Sequence, residues 1–416
     1  MRDLCAGALI RTCRLERNFS QEGLCRGICA ASYLSKIEKG TVTPSEEIVQ
    51  KLFAALDLTY TTDEAVLAPL RKAMDDCFAL SWEEGDFSAL RAQIAASRDL
   101  LLCSPLHLQC LLFDALCACQ DGDFAGARGV LSRLQAHLSQ LDFQSLVRFH
   151  LLCGLSSPDN ARALESFDRA HALAPSAVTA YHQCYIHFQE GRYQEALRFA
   201  RQAYDRAAQD GSVFILKNAA FLEGVCYSNL YEYSLMRAAF DRTRALSQDD
   251  PSMLRSIDYN LGASYVSIGD AAQALPYLRR ALDGDADPSS RFFTLHKLAL
   301  AYQLLSDREA GLSAVAQAQA ILDAPGDLPP VYRDMLRLIA LRFEENYARS
   351  DEYLALARRL YHSLGQEIHY GFMQFHAPLL LEALCAHRLY KEALQIALDT
   401  RFVFPPSLKK RLLNAD

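Results

Sequence analysis

The sequence predicts an all-α chain: a small N-terminal domain of four short helices, then a long series of helical hairpins. Three observations lead there. The chain has 416 residues, 51 % of them apolar and 22 % charged, with 43 Lys plus Arg against 50 Asp plus Glu and a net charge of −7. That is the composition of a folded globular protein, and the length exceeds the roughly 250–300 residues at which one core stops growing, so at least two units are expected. Second, residues 1–57 carry start and stop signals for four helices in close succession. Third, beyond residue 65, small and aromatic residues recur in matching positions at intervals of 33 to 40 residues. With only 19 Gly and 14 Pro, collagen-like and linker-like chains are excluded.

The first helix is expected from about Arg2 to Arg17, with Ala6, Ile10 and Cys13 on one face. Ser20 opens the second, its hydroxyl capping the first turn that Gln21 and Glu22 occupy, and Gly27 ends it. A third covers about Ala30 to Lys39 with Leu34 and Ile37 inward, and Gly40 stops it; Pro44-Ser45-Glu46-Glu47 starts a fourth carrying Ile48, Leu52 and Leu56. Two helices joined by a glycine-containing turn and flanked by two more have the organisation of a helix-turn-helix domain. Residues 1–57 sum to a charge of +1 and the remainder to −8, so any contact with nucleic acid is expected at the N-terminus.

These residues resemble a known class. The run Ile10-Arg11-x-x-Arg14, then Ser20-Gln21-Glu22-x-Leu24, Ser32-Tyr33-Leu34-Ser35-Lys36-Ile37-Glu38-x-Gly40 and Pro44-Ser45 is similar to the XRE class, the lambda-repressor-like DNA-binding domains. Within it, Gly27-Ile28-Cys29 followed by Ser32 to Glu38 resembles the PlcR and NprR branch of the RRNPP family of cytoplasmic peptide receptors. The resemblance implies that the third helix enters the major groove, presenting Ala30, Ala31, Ser32, Tyr33 and Lys36, while Gln21 meets a phosphate. Lys36 reaches guanine acceptors or phosphate, and the Ala31 methyl suits a thymine methyl. With two alanines in reading positions direct readout is sparse, so half-site spacing and DNA shape supply the rest. The resemblance also implies an internal ion pair between Arg14 and Glu38.

A polar stretch with Thr59, Thr61 and Thr62 follows, and residues 58–64 read as a linker. From residue 65 to 416 the repeats take over. Tyr259-Asn260-Leu261-Gly262-x-x-Tyr265, then Gly269, Ala274, Leu278 and Ala281, matches the tetratricopeptide pattern from its Leu-Gly pair onward. The small-residue slot recurs at Ala163, Ala196, Met236, Ala274, Gly311 and Ala393, with the last gap wide enough for a degenerate unit around Tyr332 to Leu364. Eight to nine hairpins are expected, stacked into a superhelical solenoid with a concave groove.

In such units the first helix of each hairpin lines the inner face. That places Tyr181, Tyr185 and Gln189 there in one repeat, Asn218, Phe221 and Asn229 in the next, then Tyr259 and Asn260, then His296 and Gln303. Amide, imidazole and aromatic groups together bond an extended peptide's backbone and pocket its apolar side chains.

The thirteen cysteines fit no disulfide framework, since the count is odd and the N-terminus shows no leader-like apolar stretch; reduced thiols and a cytoplasmic protein are expected. Cys25 and Cys29, and Cys103, Cys110 and Cys117, share helix faces and read as small buried hydrophobes. No Cys-x-x-Cys or His-x-x-x-His pair points to a metal, Leu100 to Cys119 carries His107, Gln109 and Asp114 and reads as buried helices rather than a membrane span, and no catalytic motif is present. No cofactor is expected. The function implied is a homodimeric transcription regulator that binds double-stranded DNA and senses a short signalling peptide, as in quorum sensing; the alternative is a module whose groove captures a partner protein.

Overall fold

The computed structural model describes residues 5–83, 86–325 and 328–400, with the side chains of Cys5, Gln366 and Glu367 excepted. The expected helix start at Arg2 and the last residues of the repeat region, 401–416, lie outside the described residues. All regular structure among the described residues is helical. The chain divides into two compact units, residues 1–183 with 209–215, and residues 184–208 with 216–416.

The first unit opens with four short helices, α1 (Cys5–Glu16), α2 (Gln21–Cys25), α3 (Ala31–Glu38) and α4 (Glu46–Ala54). Their ends follow from local chemistry. The Ser20 hydroxyl accepts from the Gly23 amide at 2.9 Å, and Gly27 and Gly40 leave α2 and α3 at φ of 77° and 70°, where only glycine sits without strain. Ala6, Leu9 and Ile10 of α1, Leu24 of α2, Leu34 and Ile37 of α3, and Val49, Leu52 and Phe53 of α4 form one core. Burial of each larger side chain is worth ~1.5–3 kcal/mol, set against the entropy of ordering it. Gly7 is where α1 meets the end of α3: a Cβ there would lie 2.0 Å from the Ile37 carbonyl oxygen, so only glycine allows the approach.

The stretch after α4 is fastened along its length. Leu56 and Tyr60 join the same core, and the Tyr60 ring stacks on Phe53 with centroids 4.6 Å apart. Gln50 Nε2 donates to the Tyr60 carbonyl at 2.8 Å, Thr62 Oγ1 donates to Glu46 at 2.6 Å, and the Thr61 amide donates to the Cys103 carbonyl at 3.1 Å. The next helix, α5 (Glu64–Leu80), is capped by Asp63.

From α5 onward the described residues form nine successive helix pairs, from Glu64–Leu80 with Ser88–Ala96 to Tyr370–Ala386 with Tyr390–Asp399. The degenerate unit is Val331–Leu341 with Asp351–Glu367. The expected small-residue slots are buried: Ala163, Ala196, Met236, Ala274, Gly311 and Ala393. They work with glycines on the partner helix. At Gly262 a Cβ would lie 2.5 Å from Leu278 Cγ, so the helices Pro251–Ser267 and Ala271–Leu282 close on each other only because that Cβ is missing.

A second local signal runs through both units. Asp123, Asp142, Asp159, Asp250, Asp270, Asp287 and Asp307 each cap a helix by accepting from the amide three residues on. Caps of this kind contribute ~1 kcal/mol each. The cysteines of the described residues with described side chains are free, with Cys77, Cys110, Cys184 and Cys226 fully buried. Burial raises the Cys110 thiol to about 12. No helix of the described residues is long and apolar enough to cross a membrane; the stretch from Leu100 to Cys119 lies in the short helices Arg98–Leu102 and His107–Gln120.

Candidate functional site

In each unit, among the described residues, exposed or cavity-facing polar groups stand on a frame of packed helices. In the first unit, α2 and α3 are held by the core through Leu24, Leu34 and Ile37, leaving the opposite face of α3 to solvent. Ala30, Ser32 and Lys36 are exposed there, while Ala31 and Tyr33 are half-buried and pack partly against the core.

Gln21 is committed to a network. Its Nε2 donates to Glu38 at 2.7 Å, and Arg14 grips the same carboxylate through Nε at 2.6 Å and Nη2 at 3.0 Å, with Nη1 donating to the Phe19 carbonyl at 2.8 Å. Arg14 and Glu38 are both buried, and the carboxylate raises the guanidinium pKa further. The Arg14–Glu38 pair thus ties α1 to the end of α3 and sets the Gln21 side chain at the start of α2. Gln21 retains a second Nε2–H and its first-turn position.

The second unit holds a cavity of about 290 Å³. Tyr185, Phe221, Asn229, Tyr259 and Asn260, five of the ten residues assigned to the groove from sequence, line it. Asn229 and Asn260 each donate one amide N–H to the carbonyl a turn back, Val225 and Ser256, both at 2.8 Å. A side-chain oxygen and a second N–H remain on each, groups of the kind that bond a peptide backbone.

The other five are elsewhere. Tyr181 belongs to the first unit, where its ring meets His182 edge-on at 5.3 Å. Gln189 and Asn218 are half-buried and outside the cavity wall. His296 is completely buried, 5.3 Å from the His376 ring, with neither ring nitrogen bonded. Gln303 lines a smaller neighbouring cavity, where it accepts from Arg342 at 3.2 Å.

Sequence reasoning missed the far wall. Lys297, His369, Phe372, Gln374 and Phe375 also line the cavity, four of them from the helix Tyr370–Ala386 and the turn before it. That helix is locked in place by Gln374, whose Nε2 donates to the Asn229 carbonyl at 2.9 Å, and by Tyr370, which occupies the space a Cβ on Gly191 would need. Burial lowers the imidazole of His369 to about 4 and that of His376 to about 3, so both are neutral at pH 7. Lys297 did leave a trace in the sequence: it is the one charged residue in the mostly apolar stretch from Phe292 to Ala301. No group of three or more His, Cys, Asp or Glu able to hold a metal occurs among the described residues.

Residues 10–62 match the Helix-turn-helix family. The search of curated proteins finds no match. Among solved structures, the apo form of the quorum sensor NprR from B. thuringiensis is 13 % identical with a TM-score of 0.63, covering 84 % of this chain and all of that one. NprR in complex with its cognate peptide NprX is 12 % identical with a TM-score of 0.58, covering 79 % of this chain and 98 % of that one. A Rap protein complexed with Competence and Sporulation Factor is 12 % identical with a TM-score of 0.60, covering 84 % of this chain and 99 % of that one. The chain is therefore an N-terminal helix-turn-helix domain followed by a helical-repeat region with the fold of NprR and Rap.

Proposed function

We propose that this protein is a cytoplasmic transcription regulator that binds DNA through α2 and α3 and senses a short peptide in the cavity of its second unit. The observation that carries the reading is the co-occurrence, on one chain, of a helix-turn-helix match over residues 10–62 and a cavity where two asparagine amides meet aromatic rings. NprR, whose fold it shares, has been solved with its cognate peptide. At about 290 Å³ the cavity sits at the low end of the ~300–1,000 Å³ typical of ligand pockets, so it encloses part of an extended peptide rather than a broad protein face.

In this reading Gln21 meets a phosphate, and Ala30, Ala31, Ser32, Tyr33 and Lys36 face the bases. One short helix with two alanines supplies little direct readout, so the working form is a homodimer on two half-sites about one DNA turn apart. Peptide in the cavity changes DNA affinity by favouring one arrangement of the repeats, since the two sites share no atoms.

The test is selection of duplexes from a randomised pool by the full chain, with sedimentation of the protein alone and on the selected DNA. A pair of inverted half-sites bound by two protomers is the expected result. A chain that selects no sequence, or binds as a monomer, would overturn it.

A further inference from the structure

Four lysine and arginine side chains are buried among the described residues: Arg14, Lys217, Lys297 and Arg342. Three have a carboxylate. Arg14 pairs with Glu38 at 2.6 Å, Lys217 with Asp250 at 2.8 Å, and Arg342 with Glu382 at 2.8 Å. Lys297 alone has none. It sits in the middle of the helix Pro288–Leu304, 2 % exposed, and lines the cavity with its Nζ 2.9 Å from the centre of the Phe375 ring and 5.5 Å from that of Phe372.

Its surroundings offer nothing negative. The titratable groups about it are His296 on its own helix, His376 and His369 from the helix Tyr370–Ala386 and its cap, and Tyr185, Tyr231 and Tyr259 on the cavity wall. No aspartate or glutamate lines the cavity. Desolvation without a compensating anion holds the Lys297 ammonium well below its usual pKa. A buried amine in this state is expensive for the fold, and a carboxylate brought to it would recover both Coulomb attraction and a charge-assisted hydrogen bond.

We propose that Lys297 is the anchor for a carboxylate of the bound peptide, received in the cavity beside the Phe372 and Phe375 rings. This rests on the peptide-sensing reading above and says what chemistry the peptide must bring. The carboxylate is either the peptide's C-terminus or an Asp or Glu side chain. The phenyl rings that surround the amine favour an apolar residue next to it, and Asn229 and Asn260 bond the backbone that follows.

The experiment presents two randomised heptapeptide libraries, one with free C-terminal carboxylates and one C-terminally amidated, to the full-length wild type and to the Lys297→Met variant, and sequences the retained peptides. Met fills the space of the lysine stem and removes an unpaired amine, so the variant should melt no lower than wild type; unchanged DNA binding without peptide checks its fold independently. If the C-terminus is the anchor, wild type retains only free-acid peptides. If a side chain is, both libraries are retained with Asp or Glu enriched at one position. In either case the enriched peptides, resynthesised, should bind the variant roughly 30-fold or more weaker. Peptides retained by wild type with no carboxylate in common, or bound equally by the variant, overturn the Lys297 anchor and leave peptide sensing standing. No peptide retained by wild type overturns both.

Discussion

The side-chain amide of Gln21 donates to the carboxylate of Glu38 at 2.7 Å, so the residue at the head of α2 is positioned by the last residue of α3. Because Arg14 holds the same carboxylate, three helices share one buried polar node. Glu38→Ala strands the Arg14 guanidinium and frees Gln21; a broken buried pair costs ~3–5 kcal/mol. Denaturant unfolding, followed by hydrogen exchange in α1 to α3, should register that loss in the N-terminal domain, together with weaker DNA binding.

Lys36 is exposed on the solvent face of α3. Lys36→Ala should weaken specific DNA binding by ~1–3 kcal/mol if the side chain reads a base, or lower the salt slope by about one if it meets phosphate. A salt titration of affinity on the selected duplex separates the two, and it should leave the melting temperature unchanged.

At Gly7, any side chain collides with the Ile37 carbonyl, whose oxygen would be 2.0 Å from the new Cβ. Gly7→Ala must push α1 off α3, and overpacking of this kind costs ~1–3 kcal/mol. The expected outcome is a lower unfolding midpoint and reduced DNA affinity with the response to peptide retained in direction.

Asn229 lines the cavity whereas Asn218 does not. Asn229→Ala should therefore reduce affinity for a selected peptide by ~0.5–1.5 kcal/mol, the net worth of a hydrogen bond, while peptide-free DNA binding stays nearly the same. Asn218→Ala should affect peptide affinity less. Titrating peptide against both variants, with and without DNA, checks this.

Burial depresses His369 to about 4 and His376 to about 3, and His182 in the first unit to about 4. Unfolded, each binds a proton near pH 6.5, so between that value and the folded pKa the unfolded state holds more protons. The stability contributed by these neutral rings is therefore complete above about pH 6.5 and is lost as the pH falls toward 4 and 3, at up to ~1.4 kcal/mol per pH unit for each group. Melting curves should shift down between about pH 7 and about pH 5, and His376→Asn should flatten the slope.

Much of this was legible in residue order because it depends on short-range chemistry. Ser20, Gly27, Gly40 and the alanine slots act within a turn or between adjacent helices, where spacing alone dictates which atoms meet. The Arg14–Glu38 pair is implied by family resemblance, and the aspartate caps are likewise a local pattern of the sequence. Helical counting assigns ten residues to the groove face; Tyr185, Phe221, Asn229, Tyr259 and Asn260 line the cavity, and Tyr181, Gln189, Asn218, His296 and Gln303 lie outside its wall. Periodicity identifies a helix face and leaves open how far each turn is covered by its neighbours. Gln374 meets Asn229 across 145 positions of sequence, and the phenyl rings around Lys297 come from the same distant helix. Contacts of that range carry no pattern along the chain. Whether a buried lysine finds a carboxylate or a cavity wall depends on which helix packs over it, and that is settled only when the helix Tyr370–Ala386 closes on the earlier ones.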